Sequence, residues 1–219
     1  MRPTVLVVAK APEPGRVKTR LGAAVGMARA AEVAAAALLD TLHAAVDAVG
    51  AEHCHLSVDG DLNRAVRGRE LREALAGWTV HPQQGSDLGA RLADAHRRVP
   101  GPVVQVGMDT PQLTAGLLHA AAGALDDHDA VLGPADDGGW WVLALRDPTA
   151  AAALAEVEMS TPTTYADTRR ALIRAGLRVG TTTTLSDVDT AADADLVAEA
   201  LVHTGDGRHF SRAWAAVAG

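Results

Sequence analysis

The opening of the chain constrains its fold most. Val5 to Ala9 is an unbroken apolar run with three valines, and it leads straight into a loop holding Pro12, Pro14 and Gly15. A strand with one wet face alternates apolar and polar residues; an unbroken β-branched run suits a strand covered on both faces, the middle of a parallel α/β sheet. The two prolines keep the loop out of a helix and stiffen it, and Gly15 can take a positive φ. Lys10, Arg16, Lys18 and Arg20 then set four cations within eleven positions, in a chain of net charge -7. Open α/β sheets bind ligands at the C-terminal ends of their strands, and clustered cations on a stiff loop there suit phosphate groups. The plainer alternative is a solvated basic loop.

Two familiar phosphate loops are excluded. Lys18-Thr19 resembles the end of a Walker A motif, but Val17 stands where glycine is required, and no G-x-G-x-x-G follows the strand. Side chains rather than a glycine nest would have to hold the phosphates. The 219 residues suffice for one α/β domain with a full core, expected to span 1–219. A hydrophobic content of 48% and a charged content of 21% are ordinary for a globular protein. The acidity, with a pI near 5.7, argues against a nucleic-acid partner. The single Cys54 excludes an intrachain disulfide and suits a reducing compartment. The first apolar run is too short for a signal peptide or a membrane span, so a cytoplasmic enzyme is expected, with no membrane partner.

Along the chain, residues 27 to 49 carry apolar positions at helical steps, ended by Gly50. A second strand (HCHLSV) follows; its alternation keeps Cys54 from sharing a metal site with His53 and His55. Residues 62 to 76 predict a charged amphipathic helix and Trp78 to Pro82 a third strand. At the next strand-to-helix corner stand Gln83, Gln84, Gly85, Asp87, Leu88 and Arg91. Asp87 either caps the helix or the corner meets a nucleoside. PVVQVG predicts a fourth strand with Asp109 at its tip, a position suited to a metal ligand, or else a turn residue before Pro111. A fifth strand, DAVLGP, leads into the turn Asp136-Asp137-Gly138-Gly139 and a returning strand from Trp140. Two acids, two glycines and two tryptophans exceed what a hairpin needs, and the tryptophans predict a flat wall for a sugar or base. Late in the chain Thr190 and Asp193 form a capping-box pattern. Asp187 or Asp189 supplies a second metal ligand if VGTTTTLSDV returns to the sheet.

The pieces AKAPEPGRVKTRLG, GSDLGARL, GMDTPQLT, VLGPADDGGWWVLAL and LSDVDTAADADL, in that order, resemble the nucleotide-diphospho-sugar transferase superfamily. Within it the chain is most similar to an uncharacterised bacterial family, DUF2064, which often carries a glycosyltransferase label. KTRL is also similar to guanylyltransferases acting on phospholactate or phosphoenolpyruvate, and the loop-then-Asp layout to molybdenum-cofactor nucleotidyltransferases. The resemblance implies one GT-A-type, Rossmann-like α/β domain with a mixed, mostly parallel central sheet flanked by helices. It implies that Lys18, Arg20 and Asp109 are catalytic. Ala9, Lys10, Ala11, Gly15, Arg16, Lys18, Gln84, Gly85, Asp87 and Leu88 would bind nucleotide. Asp136, Asp137, Gly138, Gly139 and Trp140 would meet the acceptor, and Asp109, Asp187 and Asp189 would hold Mg²⁺ or Mn²⁺. The chain departs from the family pattern at Thr110, Trp140, Trp141 and Met159, where Cys, Tyr, Tyr and Trp are usual.

The expected reaction moves a nucleoside monophosphate from a nucleoside triphosphate to a small anionic acceptor, releasing pyrophosphate, because four cations suit a triphosphate. The alternatives are glycosyl transfer from a nucleotide-sugar and a non-catalytic nucleotide-binding protein. The base, the acceptor and the oligomeric state, a homodimer included, are left open.

Overall fold

A computed structural model describes residues 3–218. β1 (Thr4–Lys10), β2 (Cys54–Asp59) and β3 (Thr79–Pro82) pair in parallel on one side of the molecule. On the other side of β1 lies β4 (Val103–Val106), again parallel. β5 (Ala130–Pro134) and β6 (Trp140–Leu145) form an antiparallel hairpin, and β7 (Val179–Thr181) joins β5 in parallel. All seven lie in one sheet of order β3-β2-β1-β4-β6-β5-β7, in which only β6 runs against its neighbours. The mixed, mostly parallel sheet is therefore as expected, and the late segment does return to it: Leu185 bridges Ala135 beyond β7.

Helices cover both faces. Alternation along β1 sends Val5, Val7 and Ala9 toward α2 (Met27–Val49) and α5 (Ala115–Gly123). Leu6 and Val8 face the opposite layer, made by α4 (Leu88–Arg97), a 3-10 stretch (Pro148–Glu156) and α6 (Thr164–Arg174). α2 has the expected bounds because glycines at positive φ, Gly26 and Gly50, stand at its two ends. It is so rich in alanine and leucine that it buries a second side too, against α1 (Thr19–Val25), α7 (Ala191–Thr204) and α8 (Arg208–Ala218). Asp40 of α2 fixes α8 by accepting the backbone N–H bonds of His209 and Phe210 at 3.1 and 2.8 Å.

The helix expected over 62–76 is shorter: α3 covers Gly68–Ala74. Asp61 accepts both the backbone and side-chain N–H of Asn63 at 2.8 Å, which favours a turn, and Arg67 takes a positive φ of 54°. Cys54 is buried and donates its thiol to Gly50 O. No helix among the described residues is long and apolar enough to cross a membrane.

Chain direction places the crevice. From β1 the chain moves outward through β2 and β3, then returns to lay β4 on the far side of β1. Loops leaving β1 and β4 therefore diverge, and a gap opens at their C-terminal ends.

Candidate active site

A cleft of about 730 Å³ occupies that gap. The basic loop enters it from β1, Asp109 from β4, and Asp187 and Asp189 from the segment that crosses back after β7. Lys18 stands at the N-terminal boundary of α1 with φ 47° and ψ 45°, a left-handed backbone that turns its side chain inward. Its ammonium lies 2.6 Å from Asp109 Oδ1 and 2.9 Å from Asp189 Oδ1, and its side chain is 5% exposed. Arg20 approaches Asp189 Oδ2 at 3.5 Å. The front of the chain and its middle thus meet at one point.

Burial works against the charge on Lys18, but Asp109 and Asp189 hold its pKa above the ordinary lysine value. Burial also opposes ionisation of Asp189; Lys18 and then Arg20 outweigh it and hold that carboxyl below the usual range. Asp187 differs. Burial first, then the neighbouring Asp109 carboxylate, pushes it up to about 6, although the Thr110 hydroxyl donates to its Oδ1 at 2.8 Å. Asp189 does not cap α7, because Thr190 and Asp193 form the capping box themselves.

Of the residues expected at the site, Ala9, Lys10, Arg16, Lys18, Arg20, Leu88, Asp109, Asp137, Gly139, Trp140, Asp187 and Asp189 line this cleft. Ala11, Gly15, Gln84, Gly85, Asp87, Asp136 and Gly138 do not. Ala11 is buried, with its N–H given to Asp59 O. Gly15 shapes an exposed turn at φ 79°. Gln84 Oε1 accepts from Arg98 at 2.9 Å. Gly85 makes the tight corner before α4, and Asp87 caps that helix by accepting from Ala90 N at 2.8 Å. Asp136 accepts a short hydrogen bond from Ser186. Gly138, at φ 89°, lies so close to Pro162 O that a side chain there would collide with it.

The two tryptophans part company. Trp140 is half-buried in the cleft, whereas Trp141 is 2% exposed and packs into the core, its indole donating to Thr183 O at 2.9 Å. Gly133 leaves the room Trp141 fills, so Trp141 meets the cleft from the core while Trp140, half-buried, presents the more open wall.

Two residues of the corner weighed as meeting a nucleoside, Gln83 and Arg91, also line the cleft, and three residues not expected at the site, Gln105, Met159 and Thr164, join them. Gln83 ties strand ends together, donating to Ala9 O at 2.9 Å and Ser57 O at 3.2 Å. Arg91 reaches Asp59 at 3.3 Å and stands on the same side as Arg16. Gln105, Met159 and Thr164 line the far side. Gln105 had a signal: a polar residue inside the buried run PVVQVG.

For a divalent cation, Asp109 and Asp189 are the fitting donors: hard carboxylate oxygens beside the phosphate-suited loop. No group of three or more His, Cys, Asp or Glu close enough to hold a metal occurs among the described residues. The expected set of Asp109, Asp187 and Asp189 is thus not gathered into one three-ligand group: the Lys18 ammonium occupies the space between Asp109 and Asp189, and Asp187 is bonded by the Thr110 hydroxyl.

The profile of a family described as an uncharacterized protein conserved in bacteria, DUF2064, matches residues 41–161. That span includes Asp109 and the 136–141 turn but not the basic loop. A solved candidate nucleotide-diphospho-sugar transferase from Desulfovibrio desulfuricans G20 superposes with a TM-score of 0.78 at 28% identity, over 92% of this chain and 88% of its own. CMP:2-keto-3-deoxy-manno-octonic acid synthetase complexed with CTP superposes with a TM-score of 0.59 at 12% identity, over 94% and 100%. For 4-diphosphocytidyl-2C-methyl-D-erythritol synthase from Anaerococcus prevotii the values are 0.59, 12%, 92% and 100%. The last two likenesses concern the fold. No curated protein matches the chain.

Proposed function

The chain belongs to the DUF2064 family and has the fold of transferases that act on nucleotides, and from that premise we propose that it is a nucleotidyltransferase. It moves a nucleoside monophosphate from a nucleoside triphosphate to a small anionic acceptor. The observation that carries this reading is the Lys18 ammonium held between Asp109 and Asp189, at the meeting of the basic loop with the end of β4.

Lys10, Arg16, Arg20 and Arg91 surround that point with positive charge and would receive the triphosphate tail. Asp109 and Asp189 would hold Mg²⁺, which when bound neutralises phosphate oxygens and favours displacement at phosphorus. An acceptor oxygen already carrying a negative charge attacks the α-phosphorus. The new oxygen–phosphorus bond forms as the bond to the bridging oxygen of the β-phosphate breaks, and pyrophosphate departs with that electron pair. The basic loop stabilises the departing charge. No proton has to be removed, so the reaction needs no catalytic histidine, and no histidine lines the cleft.

A second reading, glycosyl transfer from a nucleotide-diphospho-sugar, is supported by the description of the 28% identical structure. In that case the base acting on an acceptor hydroxyl is Asp137, which lines the cleft, rather than Asp136, which is engaged by Ser186.

The test is incubation with each nucleoside triphosphate, Mg²⁺ and a panel of phosphorylated and phosphonate acceptors, assaying pyrophosphate. Release of a nucleoside diphosphate from nucleotide-sugars, with no pyrophosphate from triphosphates, would replace the first reading by the second. Nucleotide binding without turnover in either assay would leave a non-catalytic binding protein.

A further inference from the structure

The far side of the cleft contains a polar pair that phosphate binding does not use. Gln105 sits on β4 between Val104 and Val106 and is 2% exposed. Its Oε1 meets Nε2 of His96, a fully buried residue of α4, at 2.8 Å. Burial pushes the His96 pKa down to about 4, so the ring is neutral near pH 7 and donates to that oxygen. Its other nitrogen, Nδ1, has no partner. With the oxygen held by His96, the Gln105 NH₂ group is left to the cleft side, and it makes no hydrogen bond among the described residues.

Such a pair is hard to explain by packing alone. Histidine and glutamine of this size can be replaced by leucine and methionine with little change in volume, and removing both partners of a buried hydrogen bond is often neutral for stability. What the pair does supply is a fixed donor in a cleft whose uncharged lining includes the packed group Val8, Leu92, Met159 and the Trp140 ring, and the Thr164 hydroxyl. None of these side chains is charged. The cations of the cleft lie on the β1 side, where Arg16 and Arg91 turn toward Asp59.

We propose that Gln105 selects the acceptor: its free amide N–H bonds donate to a hydroxyl or carbonyl oxygen on a neutral body that packs against Trp140. His96 is the positioning residue that fixes the amide. This deepens, and rests on, the reading of the cleft as a transferase site. The substrate class follows: a molecule with one anionic end, turned toward Lys18 and Arg20, and an uncharged hydroxylated body in the recess, as in a sugar or polyol phosphate.

The test compares affinities for inorganic phosphate, glycerol 3-phosphate and glucose 1-phosphate by calorimetry, with and without nucleoside triphosphate and Mg²⁺. The wild type should prefer at least one of the two organic phosphates over inorganic phosphate by about tenfold or more. Gln105→Met should bring that ratio within about twofold of unity while leaving affinity for inorganic phosphate in place. His96→Leu should lower the ratio in the same direction. The double variant His96→Leu/Gln105→Met should melt at or above the wild-type temperature and still lack the preference; a purely structural pair would instead lose stability and keep it. Should Gln105→Met not fold, the double variant His96→Leu/Gln105→Met, which leaves no unpaired buried partner, carries the comparison. A wild type without preference, or an unchanged ratio in the variants, overturns the proposal. If no triphosphate binds but the ratio behaves as stated, nucleotidyl transfer fails and the recess assignment stands; turnover with an unmoved ratio is the reverse case.

Discussion

The two sides of the cleft solve opposite problems. On the β1 side, Lys18 is buried with its charge intact because two carboxylates sit within 3 Å of it. On the β4–β6 side, His96 and Gln105 are buried without charge, and the nearest ring wall is Trp140. The first arrangement recognises charge and tolerates many ligand shapes. The second offers an uncharged donor and a ring wall, and discriminates by shape and hydrogen bonding. A site that joins the two can hold a common phosphate tail firmly while the uncharged side chooses what is attached or added to it.

The strongest way to break this comparison is to remove charge from the β1 side. Asp109→Asn should lower kcat/KM by at least about 10³-fold, and Lys18→Ala by about 10²- to 10³-fold with weakened triphosphate binding. Steady-state kinetics on variants shown to be folded by circular dichroism would check both; near-wild-type rates would remove these residues from the mechanism. The next test forces charge into the uncharged side. His96 is neutral when folded, with a pKa of about 4, and ordinary when unfolded, at 6.5. Between those values only the unfolded chain takes up the proton, so stability is lost as pH falls from 6.5 toward 4. This group accounts for about 2 kcal/mol of the loss between pH 7 and 4.5. His96→Leu should remove that part, read as the difference in denaturant midpoints at the two pH values. A wild type and variant that fall in parallel would show that His96 is not held neutral.

A smaller effect is expected at the ring wall. Trp140→Ala should weaken acceptor binding about tenfold, visible in the acceptor KM, with triphosphate affinity within about twofold of wild type. Equal losses for both ligands would mean that the two sides are not separate. The smallest change sharpens the boundary of the site. Asp87→Ala should lower the melting temperature slightly by uncapping α4 and leave nucleotide affinity alone. A large fall in affinity would bring the Asp87 corner back into the binding surface.

Much of the charged side was legible in the sequence, and little of the uncharged side. Lys18 and Asp109 come after apolar runs that mark strands, and Asp189 stands just before a capping pattern that marks a helix start; their meeting depends on the order of the strands, which no single segment carries. The bounds of α2 were legible because glycine stands at both ends. By contrast, Asp136 and Asp137 are adjacent and chemically alike; only the turn geometry decides which one faces the cleft. Trp141 read as exposed because the space left by Gly133, eight residues earlier, is a property of the paired strands and not of the segment. The helix expected from residue 62 fails at Asn63 and Arg67, where a local side-chain bond and a left-handed backbone override the apolar spacing. Gln105 was visible as a polar interruption in a buried strand, but its partner His96 lies on another element.

The bond between Lys18 and Asp189 joins positions 171 residues apart. A ligand gripping both would act as a clasp between the first loop and the last crossover, so no large fragment of the chain keeps a complete grip by itself. Occupancy and global unfolding are then a single coupled equilibrium: saturating nucleotide should raise the melting temperature with the logarithm of its concentration. It should also slow cleavage at sites far from the cleft wherever cutting requires the whole fold to open.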